Sequence, residues 1–218
     1  MLIDTHCHLD PHYFPEGADE LLARAHSAGV TGFVCIGVGS LEQAQAALAI
    51  SERRSDVWAT VGVHPHDAAS CDAALEAELV RAAAAPRVVA IGEVGLDFHY
   101  DHSPRERQAE VFRRFIQLAK QAKKPLVIHT RSAPAETLAI LEQEGASEVG
   151  GLIHCFSENK AFAERALDLN FDLSFSGIVT FKRSTEIQEV AAWAPADRIL
   201  VETDSPYLAP VPVRGKRC

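Results

Sequence analysis

Short apolar runs rich in valine and isoleucine recur along the chain, separated by longer Ala/Leu/Glu/Arg stretches of helical character. Eight runs stand out: Leu2–His8, Gly32–Val38, Val57–His64, Val88–Val94, Pro125–Thr130, Gly151–Phe156, Phe171–Ile178 and Ile199–Asp204. Most are continuous rather than alternating, as expected of strands covered on both faces by helices. The segments between them predict helices over Gly17–Ser27, Leu41–Arg53, Ala73–Ala85, Pro104–Ala122, Pro134–Glu144, Lys160–Leu169 and Ser184–Ala194. Ser40, Asp72 and Ser103, the last with Pro104 and Glu106 following, supply plausible helix starts. Strict strand–helix alternation implies right-handed parallel crossovers, and eight strands is the number that closes a TIM-type (β/α)8 barrel; a doubly wound open sheet is the competing arrangement. The chain ends at Cys218, only about a dozen residues past the last run, so the expectation is a truncated barrel without its final helix and with apolar flanks left open on the first and eighth strands.

Barrel enzymes build their sites where strands end, and here the polar residues fall there too. His6 and His8 close the first run, His64 the third, Glu93 the fourth, His129 the fifth, His154 the sixth and Asp204 the eighth. Residues two apart on a strand share a face, which pairs His6 with His8, His129 with Arg131 and Glu202 with Asp204. By the same parity Cys7 and Cys155 should point away, toward the helices. Each residue has an ordinary reading when taken alone: an incidental His-x-His, a hydrogen-bonded core histidine at 129 or 154, a turn or cap aspartate in VETDSP. Their convergence on one face is explained at once by a single binuclear metal site. Imidazole suits zinc, manganese, cobalt and iron, and a carboxylate can bridge two cations about 3.5–4 Å apart, a position for which Glu93 is the natural candidate. Two divalent ions against the charges of Glu93 and Asp204 leave a net positive pocket, suited to a phosphate-bearing or otherwise anionic substrate.

Composition narrows the picture. With 218 residues, 47% hydrophobic and 23% charged, residues 1–218 read as one barrel domain. Thirty Asp+Glu against 21 Lys+Arg gives a net charge of −9, which repels polyphosphate at long range, so contact with nucleic acid has to be local. Five scattered cysteines without a CxxC fit a reducing compartment. No run approaches the roughly 20 apolar residues of a membrane span and no basic leader opens the chain, so a cytoplasmic protein with no membrane association and no obligate protein partner is expected.

IDTHCHLD (residues 3–10), GVHPHDA (62–68), IGEVGLDFHYD (91–101), PLVIHTR (125–131), IHCFS (153–157) and ETDSPYLAPVPVRGKR (202–217) together resemble the signatures of the TatD family of metal-dependent deoxyribonucleases, within the amidohydrolase superfamily. The resemblance spans essentially the whole chain. It implies that His6, His8, Glu93 and Asp204 hold one divalent cation and that Glu93, His129 and His154 hold a second, the ions being zinc, manganese or magnesium. Phosphotriesterase-type relatives bridge their metals with a carboxylated lysine after a strand; here Lys123 and Lys124 precede the fifth strand, which argues against that branch. The implied reaction is metal-assisted hydrolysis of DNA phosphodiesters, as an exonuclease on single strands, with Glu93 bridging and Asp204 accepting the proton of the attacking water. His64, His66 and Arg131 are placed to bind the phosphate or steady the leaving oxygen, and Glu202 and Asp4 to orient ligand imidazoles. Phe98, His99 and Tyr100 could stack a base, and Lys182, Arg183, Arg214, Lys216 and Arg217 could track a backbone, Arg214 and Lys216 lying in the closing signature. His12, His26 and His102 read as loop or surface residues without a role. The competing readings are an amidohydrolase-type enzyme acting on a small ester or amide, and an inactive metal-binding protein.

Overall fold

A computed structural model describes residues 1–218. Eight strands, β1 (Leu2–Cys7), β2 (Val30–Gly37), β3 (Val57–Val61), β4 (Val88–Asp97), β5 (Leu126–Arg131), β6 (Gly151–Ile153), β7 (Phe171–Phe175) and β8 (Ile199–Val201), form one sheet in sequential order. All seven neighbouring pairs are parallel. The first and last strands meet: Cys7 bridges Ser205, the Asp204 amide donates to the His6 carbonyl (2.9 Å) and the His8 amide to the Ser205 carbonyl (3.0 Å). This contact makes the sheet a nearly closed TIM-type barrel and disposes of the doubly wound alternative.

Helices α1 (Asp19–Ser27), α2 (Leu41–Arg53), α3 (Ala73–Ala83), α4 (Arg105–Ala122), α5 (Pro134–Gln143), α6 (Lys160–Asp168) and α7 (Thr185–Trp193) connect successive strands. Ser40 starts α2 with a reciprocal capping box to Gln43, and Asp72 caps α3 through the Leu75 amide. Ser103 does not cap α4. Its buried hydroxyl accepts from the Ala69 amide and donates to the His66 carbonyl, tying the start of α4 to the loop that carries His66. Val111, Phe112, Phe115, Ile116 and Ala119 give α4 an apolar face at helical spacing, buried against the barrel; each of its large side chains contributes about 1.5–3 kcal/mol.

Most strands are shorter than the apolar runs, because pairing stops where the chain turns into the loops at the barrel mouth. His8, His64, His154 and Asp204 therefore lie just past their strands. Strand β4 extends furthest beyond its run, continuing to Asp97. Gly95 permits this: its φ is +147° and a Cβ there would lie 1.9 Å from the His129 carbonyl oxygen, so only glycine lets β4 approach β5 this closely. Residues 202–218 form turns without a further helix, and Leu2 and Val201, on adjoining strands, are 45% and 47% exposed. No helix is long and apolar enough to cross a membrane.

Candidate metal centre

The centre is organised around the two oxygens of Glu93, which is buried on β4. Oε2 faces His6 of β1, 3.4 Å from its Nε2. Oε1 faces three imidazoles: His129 Nδ1 at 2.8 Å, His154 Nε2 at 3.5 Å and His64 Nε2 at 3.6 Å. On the first side, Asp204 Oδ1 lies 3.7 Å from His6 Nε2 and 3.5 Å from His8 Nε2. The six expected metal ligands thus fall into two groups sharing one carboxylate. The rings of His6 and His154 stack at 3.5 Å between centroids, so the two groups are also in direct contact.

The donor set fits a cation. Both ring nitrogens of His6 and Nδ1 of His8 are buried without a hydrogen-bond partner. Each such orphaned polar atom costs about 1–3 kcal/mol unless something else takes its lone pair. Triads of ligand atoms within 4.8 Å of one another include His6–His8–Glu93 and His64–Glu93–His129.

His64 is in the second triad, yet its chemistry differs from that of a ligand. Its Nδ1 accepts the His66 amide (3.1 Å), and burial pushes its pKa down to about 3, so the ring is neutral with its proton on Nε2. It presents an N–H, not a lone pair, toward Glu93. That suits the expected contact to an anionic substrate oxygen. His66 turns the other way, its Nε2 lying 2.9 Å from Asp97, and Arg131 is exposed at the end of β5 with its guanidinium 4.7 Å from the Tyr100 ring centre.

Burial opposes charge on the carboxylates and the imidazoles alike, but their mutual contacts prevail. Glu93 is held well below the carboxylate range by His154, His64, His129 and His6 around it. Asp204 is lowered by the hydrogen bond with His8 and by the nearby His154 and His6. His154 is raised to about 10 against its burial, chiefly by Glu202 and Glu93.

Glu202 holds His154: Oε1 lies 2.9 Å from Nδ1 and also accepts the Cys155 amide (2.8 Å), while Oε2 accepts the Ser174 hydroxyl (2.6 Å). Asp4 orients no imidazole. It accepts the amides of His6 (3.3 Å) and Thr203 (2.9 Å) and the Thr203 hydroxyl (2.6 Å), fastening β1 to the loop after β8. Cys7 is buried and directed to the Val34 carbonyl, but Cys155 is not turned toward the helices. Strand β6 ends at Ile153 and Cys155 has φ of +43°, so alternation fails there; Sγ lies 3.1 Å from Ser176 Oγ and falls in one cluster with His154 and Asp204.

Asp97 is a site residue that the sequence reading passed over. Its Oδ2 lies 2.9 Å from His66 Nε2 and 3.3 Å from His129 Nε2, and Oδ1 accepts the amides of His99 (2.9 Å) and Tyr100 (3.0 Å). Buried Gln108 completes the support, accepting the Asp97 amide (2.8 Å) and donating to its carbonyl (3.1 Å). Among the expected stacking residues, Phe98 is covered by Arg105 at 4.4 Å, whereas Tyr100 is 49% exposed. His102 is less detached than expected, its ring packing 4.4 Å from that of His66, while His26 pairs with Asp56 away from the mouth. Lys124 donates to the carbonyls of Ala83 and Val88 and takes no part in the centre. Arg217 pairs with Glu16 and so is not a free cation.

An eight-stranded parallel barrel with clustered histidines and carboxylates at its mouth is a frame for metal-dependent chemistry, and the relatives below make the class a metal-dependent hydrolase. The chain belongs to the TatD-related DNase family, whose profile it matches over residues 3–218. It is 41% identical over 217 residues to the uncharacterized metal-dependent hydrolase YabD of Bacillus subtilis, covering 100% of this chain and 85% of that protein. A relative from Erwinia billingiae named 3'-5' ssDNA/RNA exonuclease TatD is 35% identical over 216 residues, 99% of this chain and 83% of its own length. The crystal structure of the TatD homologue YJJV from Escherichia coli K12 superposes with a TM-score of 0.91 at 29% identity, covering 100% of this chain and 84% of that one.

Proposed function

We propose that this hydrolase cleaves phosphodiester bonds of DNA, as an exonuclease on single strands, using two divalent cations of zinc, manganese or magnesium. The observation that carries the reading is the division of Glu93: one oxygen faces His6, within reach of His8 and Asp204, and the other faces His129 and His154. A shared carboxylate between two imidazole groups is what a two-cation hydrolase needs. The name of the Erwinia relative supports a nucleic-acid substrate.

His6, His8, Glu93 and Asp204 would hold one cation, and Glu93, His129 and His154 the other. Cations there supply Lewis-acid activation of water and neutralise phosphoryl charge. Asp204 remains a carboxylate beside His8 and can accept the proton of the attacking water. The Nε2–H of His64 can donate to a phosphoryl oxygen, and Arg131, stacked on Tyr100, offers a fixed guanidinium at the rim. Five free thiols support a cytoplasmic, reducing setting.

The test is release of nucleotides from end-labelled single-stranded DNA by purified protein with each cation, before and after chelation. Asp204→Asn should lower turnover at least about a hundredfold while retaining strand binding. Undiminished cleavage by Asp204→Asn, or no cleavage of DNA by the cation-loaded protein, would overturn the reading.

A further inference from the structure

About half of the arginine and lysine side chains of this acidic protein are neutralised locally, as in the pairs Arg54–Asp56, Arg105–Asp101, Arg113–Glu144, Arg165–Glu142 and Arg198–Asp172. Lys182, Arg183, Arg214 and Lys216 pair with no carboxylate. Three of them line one cavity of about 470 Å³, together with Ile178, Phe181 and Ser184. The Arg214 guanidinium lies 4.1 Å from the Phe181 ring centre, which fixes its position without using its charge. At the cavity wall Ser184 begins α7, and no side chain caps the first turn of that helix.

The cavity belongs to the barrel mouth. One wall follows β7 and the other follows Asp204 in the segment after β8. The two are locked together: the Val211 amide donates to Thr180 Oγ1 (2.9 Å), and a Cβ on Gly177 would lie 1.9 Å from the Leu208 carbonyl oxygen. Between Asp204 and Arg214 on the same segment stands Tyr207, 53% exposed, edge-on to Tyr13 at 6.0 Å; the Tyr13 ring in turn lies 4.7 Å from His8. From a candidate ligand outward, the surface thus presents aromatic faces and then unpaired cations.

We infer that Tyr13, Tyr207 and the Lys182–Arg183–Arg214 cavity form a docking surface for the part of a single nucleic-acid strand flanking the bond at the metal centre, with bases against the tyrosines and a backbone phosphate among the cations. Alternating π-faces and phosphates is the chemistry of a single strand, and stacking plus local cation contacts is how such strands are held without sequence readout. A free phosphate ion would use the cations and leave the tyrosines idle. The surface lets a chain of net charge −9 hold a polyanion through a local patch. The inference extends the proposed nuclease reading to its substrate.

The test measures binding apart from turnover. With chelator present, anisotropy of a fluorescein-labelled oligothymidylate of about twelve nucleotides is followed from roughly 50 to 200 mM salt. The triple variant Lys182→Gln, Arg183→Gln, Arg214→Gln should bind at least about tenfold more weakly, with the log–log salt slope reduced by about 0.7, the value for one phosphate no longer neutralised. Tyr207→Ala should weaken binding about five- to a hundredfold with the slope unchanged. Hydrolysis of bis(p-nitrophenyl) phosphate by the cation-loaded triple variant should stay at the parent rate, because that diester carries no flanking strand for the surface to hold. Unchanged affinity and slope in the triple variant would overturn the inference. So would displacement of the oligonucleotide by inorganic phosphate at concentrations matching the oligonucleotide's own affinity, which would mark a free-phosphate site. If DNA is cleaved but binding ignores these residues, the surface falls and the nuclease reading stands. If no diester is cleaved yet binding depends on them, the reading falls and the surface stands.

Discussion

Asp97→Asn replaces one carboxylate oxygen with NH2 and should decide which nitrogen of His129 carries its proton. In the parent protein the carboxylate Oδ2 takes the Nε2 side of His129 (3.3 Å) and of His66 (2.9 Å), while Nδ1 of His129 donates to Glu93 Oε1, 2.8 Å away; the Nδ1 proton is the one a cation would displace, with Nε2–H kept on Asp97. The amide variant can keep Oδ1 on the backbone N–H groups of His99 and Tyr100, so the loop remains anchored. Its NH2 group, however, replaces the shared acceptor. To accept from it, His129 must keep its proton on Nδ1, the atom that would otherwise hold a cation. Loss of such an outer partner typically costs 10–100-fold in metal affinity, or about 1.4–2.8 kcal/mol. Cation affinity is read by competition with a chromophoric chelator, and the tautomer by nitrogen shifts of labelled imidazoles. Asp97→Ala serves as contrast: it abandons two backbone donors as well and should lose a further ~1–3 kcal/mol of stability. A cation affinity in Asp97→Asn within about threefold of the parent, with the His129 tautomer unchanged, would refute the argument.

The ionisation of the centre gives stability a pH profile in the chelated protein. His154 is raised to about 10 from 6.5, so its contribution is fully present below pH 6.5 and is lost as pH rises through 10; Glu93 and Asp204, both lowered, contribute above the ordinary carboxylate range and lose that contribution in acid. Melting temperature in chelator should therefore fall on both sides of neutrality, and Glu202→Gln, which removes the charge facing His154, should flatten the alkaline limb; an alkaline limb untouched by that change would count against the ion pair. Gly95→Ala should destabilise the fold by on the order of 3 kcal/mol or more in urea titrations, since its methyl would meet the His129 carbonyl; parent-like stability would mean that β4 and β5 are not so close.

The convergence of His6, His8, His64, Glu93, His129, His154 and Asp204 was legible because ligand-type side chains sat at the ends of apolar runs, where a parallel barrel gathers them. Helix α2 was legible to its ends, Leu41 and Arg53, because Ser40 and Gln43 write a capping box. Asp97 escaped because Gly95 reads as the end of a strand. In the fold the glycine serves the opposite purpose, letting β4 pass close to β5. The signal was present: Glu93, Gly95 and Asp97 are spaced two apart, the same periodicity that pairs His6 with His8. Cys155 was misplaced because that periodicity was carried past the last paired residue of β6, where φ turns positive. Asp4 was misassigned because spacing does not reveal that its acceptors are taken by Thr203 from the far end of the chain.

The two halves of the centre are prepared differently. On one side each candidate ligand has a carboxylate at the nitrogen remote from Glu93: Asp97 at His129 and Glu202 at His154. Ring orientation is thereby set, and so is the nitrogen that keeps its proton when a cation displaces the other. On the other side His6 is fixed by stacking on His154 and faces only Glu93 and Asp204, the carboxylates that would share its cation, and no carboxylate stands at Nδ1 of His6 or of His8. Packing can hold a ring in place but cannot choose its proton position. Binding a cation there has to select the tautomers of two imidazoles, whereas on the Asp97–Glu202 side the carboxylates decide which nitrogen keeps its proton. With Glu93 common to both, occupancy of the prepared side withdraws charge from the carboxylate that the other side needs. The proposed pair of cations should therefore bind with unequal affinities: a titration of the chelated protein should resolve a tighter and a weaker step, and Asp97→Asn should weaken the tighter one.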